Sequence, residues 1–402
     1  MRTYRFSLAF VGEEYAPVED VYVEVDDRGY IASIGRGSTP GIRAVGVALP
    51  GLVNAHVHTG DYALAGAGLS LGLEEIVAPP GGLKHRLLAS MGPEELERSI
   101  SGALRYLLST GSTFAADFRE GGLSGVLAAR RASRAASYRL VVLGRPEVDG
   151  SFEDVLREAD GLGLSSPLDH LESLRAMASA AASQGKIFAA HVAETRRSRD
   201  MGDLEALLEA GRPSFVVHGT FLGEEDLMAL ADSRVGLVIC PRSNAFFSGA
   251  SPPIAAAIRA GVELALGTDN AGWIAPDMWR EMEAALRLLR VQDPALADPR
   301  RILRAATLSG ARVLGLDRVG VIDEGWFASM VVIDRSAVSP SVDPLSAVVL
   351  RGGPGHIRSV VVGAGSVSQP RRPLELGRAI PTKGPAFRPR PTVRLSGPRK
   401  GH

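Results

Sequence analysis

His56-Val57-His58, His191 with Glu194 three residues on, His218 and Asp269 stand in four widely separated passages, and each closes a short apolar run. In an extended strand residues two apart project to the same side, so His56 and His58 can share one face. Two neutral imidazoles on a rigid element are a good beginning for a Zn or Fe site. An HxH pair alone is a weak signal. It gains weight because the chain has only eight histidines and two others, His191 and His218, also end apolar runs. His191 supplies a third nitrogen ligand. His218 is open to two uses, a fourth ligand or a hydrogen-bond donor to substrate. Asp269 ends Ala265-Leu266-Gly267-Thr268, where a carboxylate is costly to desolvate unless it is paired or metal-bound. There it can both touch a metal and take a proton from water. Glu194, just past His191, is placed to shuttle protons. Cys240 is the single cysteine, so neither an internal disulfide nor a cysteine-based zinc site is available. With no base implied beside it, packing is its expected role.

The elements that must position these residues are legible as a repeat. Between residues 51 and 322, apolar runs alternate with helical patterns. The expected strands are Leu52–His56, Thr113–Asp117, Arg139–Leu143, Leu162–Ser165, Ile187–His191, Phe215–His218, Gly236–Cys240 and Glu263–Thr268, with helices between them and Pro276–Val291 after the last. Eight strands each followed by a helix form the α/β parts list of a (β/α)8 TIM barrel, in which active sites lie at the C-terminal ends of the strands. The histidines and Asp269 fall at such ends. An open doubly wound sheet is the alternative, but no glycine-rich phosphate fingerprint follows the first strand. Residues 1–50 and 323–365 read as short strands, among them Val21–Val25, Tyr30–Ile34 and Met330–Asp334, and predict a small β-sandwich domain built from both termini. Residues 366–402 form a basic Pro/Arg-rich C-terminal tail.

With 402 residues, 45% of them hydrophobic, the chain has enough apolar material for a large barrel and a smaller satellite. No apolar stretch is long enough to span a membrane, and Met1–Arg5 leads into alternating residues rather than a leader-like apolar run. A cytoplasmic enzyme is the simplest expectation. The formal net charge is zero, yet the tail holds nine of the 45 Lys/Arg and one of the 45 acids. Such a tail could touch nucleic acid; an arm without that role is the favoured reading, given its proline spacing.

The ordered motifs resemble the amidohydrolase superfamily, in its mononuclear-metal purine and cytosine deaminase-like (and chlorohydrolase-like) branch. The resemblance rests on Pro50-Gly51-Leu52-Val53-Asn54-Ala55-His56-Val57-His58, the HxxE from His191 to Glu194, His218, Thr268-Asp269, and Cys240-Pro241-Arg242-Ser243-Asn244, similar to a CPxSN turn. It implies one divalent metal, zinc first and iron second, held by His56, His58, His191 and Asp269. Glu194, His218 and Asp269 would be catalytic. The binuclear branches carry a bridging lysine; Lys186 is the nearest candidate and precedes the fifth strand, at the wrong end. The implied activity is a hydrolase acting on carbon–nitrogen bonds other than peptide bonds, an aminohydrolase deaminating a purine-, pterin- or pyrimidine-like heterocycle with metal-activated water. Opening of a cyclic amide, or displacement of chloride or an alkylamine, is the alternative on the same residues, and a scaffold with a nucleic-acid-binding tail is a remoter one. Lys84, His85, Arg119, Arg145, Asn244 and Trp273 are candidate substrate-binding residues, the cations suiting a carboxylate or phosphate or, as an equal alternative, lying on the loop surface or ion-paired with Glu120 or Glu147. The partner is then a small heterocycle, without membrane or nucleic acid; a homo-oligomer is compatible with all of this.

Overall fold

The computed structural model describes residues 1–37, 43–77, 81–147 and 150–368, so the basic tail from residue 369 lies outside the described residues, as do Pro79 and Pro80 of the first loop. Eight strand positions carry the middle of the chain: Leu52–His58, Ser112–Arg119, Arg139–Gly144, Gly161–Leu164, Ile187–Val192, Phe215–His218, Gly236–Ile239, and an eighth in two pieces, Leu264–Leu266 and Asp269–Asn270. Neighbours pair in parallel all the way round. The first two strands are buried at every position, which is the pattern of parallel strands covered on both faces.

The break in the eighth strand closes the ring. Leu264–Leu266 pairs with the seventh strand, whereas Asp269 and Asn270 pair with Val57 and His58 of the first. Between them Thr268 donates its amide to the His56 carbonyl (2.9 Å), and the Asn54 side chain donates to Thr268 Oγ1 (2.7 Å). The backbones approach so closely here that a Cβ on Gly267 would fall 2.6 Å from His56 Cβ. A glycine is what this contact needs. The first strand's ladder also shifts register between Asn54 and Val57, immediately ahead of the histidine pair, where such an irregularity re-aims side chains.

Helices cross between strands, with Pro93–Ser109, Gly122–Ala136, Leu174–Ser183, Asp203–Ala210, Glu224–Asp232, Ile254–Ala260 and Met278–Gln292 among them. The expected barrel is therefore present, including its short glycine-rich fourth strand. Both ends of the chain build one seven-stranded sheet. Arg2–Val11, Ala16–Val25, Ile31–Arg36 and Val47–Pro50 come from one end, and Ser329–Ile333, Ile357–Val362 and Gly365–Ser368 from the other. Val47–Pro50 against Ser329–Ile333 is the seam. Phe6, Val21, Val23, Met330 and Val332 form a separate core on this sheet, while Leu49, Val331 and Ile333 join the core shared with the barrel helices.

Candidate metal centre and active site

The strand ends bring the expected residues together. One nitrogen or oxygen from each of His56, His191, His218 and Asp269 lies within 4.8 Å of the others, and all four residues are buried. His58 Nε2 joins them, 3.3 Å from the same Asp269 Oδ1 that lies 3.2 Å from His56 Nε2. Two of these residues, His218 (φ 72°) and Asp269 (φ 63°), hold a left-handed backbone. That conformation is uncommon for a non-glycine residue and costs of order 1–3 kcal/mol unless its surroundings enforce it.

Hydrogen bonds fix how each donor is presented, and they suit a divalent cation. His58 Nδ1 donates to the Phe118 carbonyl (2.9 Å) and His191 Nδ1 to the Leu164 carbonyl (2.7 Å). In its neutral form each ring therefore turns an unprotonated Nε2 inward, the form a metal requires. Ser243 Oγ and the Asn270 amide (2.8 Å) both donate to Asp269 Oδ2, leaving Oδ1 for the centre. Burial, first of all, lowers the His56 pKa to about 3 and that of His191 well below the usual imidazole value, so both stay neutral. His58 moves the other way, to about 9: burial and the Lys84 ammonium lower it, but the Glu120 and Asp269 carboxylates outweigh them. These carboxylates call for positive charge at this spot, which a proton or a divalent cation supplies.

His218 is presented differently. The Asn244 amide donates to His218 Nδ1 (3.2 Å) and to Thr220 Oγ1 (2.7 Å), so the ring proton sits on Nε2. That nitrogen is buried without a protein hydrogen-bond partner and lies 3.8 Å from Glu194 Oε2. Both His218 and Glu194 line a chamber of about 170 Å³ above the cluster, together with His58, His191 and Asp269.

A model of the amidohydrolase family matches residues 47–367. The chain belongs to the amidohydrolase family. This amidohydrolase is 35% identical, over 72% of its own length and 80% of the relative's, to a protein of Methanothermobacter thermautotrophicus described as a putative aminohydrolase. It is 29% identical to a 5-methylthioadenosine/S-adenosylhomocysteine deaminase of Thermococcus onnurineus, over 75% of this chain and 77% of that one. A zinc-bound adenosine deaminase from Xanthomonas campestris superposes with a TM-score of 0.81 at 23% identity, covering 90% and 92% of the two chains; at that identity the likeness is one of fold. The amidohydrolase is accordingly a hydrolase acting on carbon–nitrogen bonds, with a His/Asp cluster fit for a metal ion. None of its described helices is long and apolar enough to cross a membrane.

The six candidate substrate-binding residues separate. Lys84 and Arg145 border the chamber. His85 and Arg119 line a neighbouring cavity instead, with His85 Nε2 on the Val77 carbonyl (2.9 Å) and Arg119 buried against Glu120 and Asp117. Asn244 and Trp273 do not border the chamber: the first orients His218, and the Trp273 indole donates to the Ala67 carbonyl (2.6 Å). Lys186 reaches the Leu156 and Arg157 carbonyls before the fifth strand, away from the cluster. Cys240 is fully buried and its thiol pKa is pushed well up by burial, as expected of packing.

Lys84 is a buried ion rather than a free cation. Its Nζ lies 2.9 Å from Asp61 Oδ2, 2.8 Å from Glu120 Oε1 and 2.9 Å from Asn270 Oδ1, and Glu120 Oε1 in turn lies 2.8 Å from His58 Nδ1. Burial pulls the ammonium pKa down, but Asp61 and Glu120 more than reverse it. Lys84→Met removes the cation and strands the buried Asp61 carboxylate, while Glu120 keeps Arg119 and His58, so the amidohydrolase should lose about 3–5 kcal/mol of stability. Urea unfolding at constant metal loading measures this; a loss under about 1 kcal/mol would show that the network is not holding the first loop. Sequence reasoning gave Asp61, Ser243 and Asn270 no role in the site, and Glu120 only that of an ion-pair partner for the loop cations, which the structure bears out for Arg119 and Lys84. The available signal was position, since all four follow strand ends on the side where the histidines emerge.

Proposed function

We propose that this amidohydrolase is a mononuclear metal-dependent aminohydrolase that deaminates a purine-, pterin- or pyrimidine-like heterocycle. The observation that carries the reading is Asp269: one oxygen held by Ser243 and Asn270, the other turned toward His56 and His58 beside a chamber walled by Glu194 and His218. The names borne by the relatives support the same class of reaction. His56, His58, His191 and Asp269 would hold the ion, with zinc the first candidate. When bound, a divalent metal supplies Lewis acidity and brings the pKa of water from 15.7 toward ~7.

The chain's own residues do the rest. Asp269 Oδ1 accepts a proton from water as its oxygen adds to the ring carbon bearing the amino group. Glu194 gives a proton to the adjacent ring nitrogen, which makes that carbon electrophilic. His218 donates its Nε2–H to the oxygen as charge grows there. The carbon–nitrogen bond then breaks: Asp269 passes its proton to the leaving amine, ammonia departs, and the second water proton returns to Glu194. Arg145 borders the chamber with a buried Nε that has no hydrogen-bond partner, a place for an acceptor or anionic group of the substrate.

The test is a panel of amino-substituted purines, pterins and pyrimidines, with ammonia and product mass both measured. The expected result is ammonia release with exchange of nitrogen for oxygen in at least one ring. Addition of water without ammonia would move the activity to cyclic-amide opening, and silence across the panel would end the deaminase reading.

A further inference from the structure

The chamber above the histidines is small. Its 170 Å³ falls below the ~300–1,000 Å³ of an ordinary small-molecule cleft, which is room for a bare ring and little more. Arg145 and Ser165 line this chamber and also line a second cavity of about 940 Å³, so the two spaces flank the same two side chains. The second cavity lies among the helix Leu83–Ser90, the start of Pro93–Ser109, the helix Gly122–Ala136 and the segment after the third strand. Leu88, Met91, Pro93, Leu96, Leu127 and Pro146 give it mainly apolar walls. Several of its charged and polar groups are paired: Arg119 with Glu120, Arg131 with Glu97, Asp169 with Ser165 Oγ (2.6 Å). Several of its wall residues, among them Pro93 and Ser124, are exposed, so this is an open cleft, and an apolar cleft beside a reaction site is where an apolar part of a ligand gains most from leaving water.

We propose that the second cavity is a substrate subsite: the heterocycle lies over the histidine cluster, and a bulky apolar substituent passes Arg145 and Ser165 to fill the larger space. This rests on the aminohydrolase reading for what the ring does. The substituent's place is argued from the cavity alone. The physiological substrate is then a ring with a long, largely hydrocarbon arm attached away from the amino group, and the free base is a poor ligand. The difference follows from area. Burying even two methylenes of the arm is worth roughly tenfold in affinity.

The experiment uses the full, metal-loaded chain and matched pairs of ligands: an amino-purine, an amino-pterin and an amino-pyrimidine, each as the bare ring and with a phenylhexyl arm on a ring atom remote from the amine. Binding is measured by calorimetry and turnover by ammonia release. In the wild type the arm should lower Kd by at least roughly tenfold for whichever ring binds. Leu127→Trp and Leu88→Trp intrude from two different walls, and each should bring the ratio of armed to bare Kd toward one; circular dichroism and metal content check that each variant is folded. Phenylhexanol, the arm without a ring, is titrated in parallel. If it binds saturably and Leu127→Trp abolishes this while no ring is turned over, the subsite stands and the aminohydrolase reading falls. If the arm gives no advantage in the wild type and phenylhexanol does not bind, or if neither tryptophan changes the ratio, the subsite is overturned.

Discussion

Asp269→Asn should lower kcat by about 10³–10⁴-fold while leaving the barrel folded. Asparagine is the informative replacement for two reasons. It tolerates the left-handed backbone at φ 63°, where a bulkier or β-branched residue would be strained, and it keeps the size of the group that Ser243 and Asn270 hold. What it cannot do is accept a proton at neutral pH, nor offer two acceptor oxygens at once. One carboxamide edge must then present N–H groups either to the donors on Ser243 and Asn270, setting donor against donor, or to the centre, where a metal ion needs a lone pair. Turnover, metal stoichiometry and far-UV circular dichroism together check the prediction. A variant with full metal and more than a tenth of wild-type kcat would remove Asp269 as the proton acceptor.

The parts of this site that could be read from the chain are those that local rules place. Apolar runs of strand length, each ended by histidine or aspartate, mark both the barrel and the rim on which chemistry sits, because a strand's direction and alternation fix where its last residues emerge. The partners that hold those residues follow no local rule. Glu120 meets His58 and Lys84, Ser243 meets Asp269, and Asn244 meets His218, each pair joining different strand ends around the ring. Nothing in the flanking residues states such a pairing. Lys84 shows the consequence. A lysine in a glycine-rich loop reads equally as a cation for substrate or as one paired with Glu120 or Glu147, and only closure of the barrel decides it, bringing Asp61, Glu120 and Asn270 to its ammonium. The divided eighth strand is similar: Gly267 is visible in the sequence, but the need for it appears only when His56 lies against it.

Glu194→Gln should reduce kcat by about 10²–10⁴-fold with KM within a few fold of wild type and metal content unchanged. The carboxyl is well placed to act on a ligand rather than on the ion. The fifth strand ends at Val192, Ala193 turns the chain with φ 49°, and its amide is fixed by Asp203 Oδ2 at 2.7 Å. Glu194 is thereby set at the chamber wall with Oε2 3.8 Å from His218 Nε2, its carbonyl accepting from Ser248 Oγ at 3.2 Å. Glutamine preserves this shape and can still hydrogen-bond a ring nitrogen, so binding survives; only transfer of a proton is lost. That distinction supplies the decisive comparison. A ring already alkylated at the nitrogen next to the reacting carbon carries its activating positive charge permanently and needs no proton from Glu194. The variant should therefore lose far less rate on such a cationic ring than on the neutral one. Equal losses on both would mean that Glu194 acts by holding His218 or the substrate in place, not by delivering a proton.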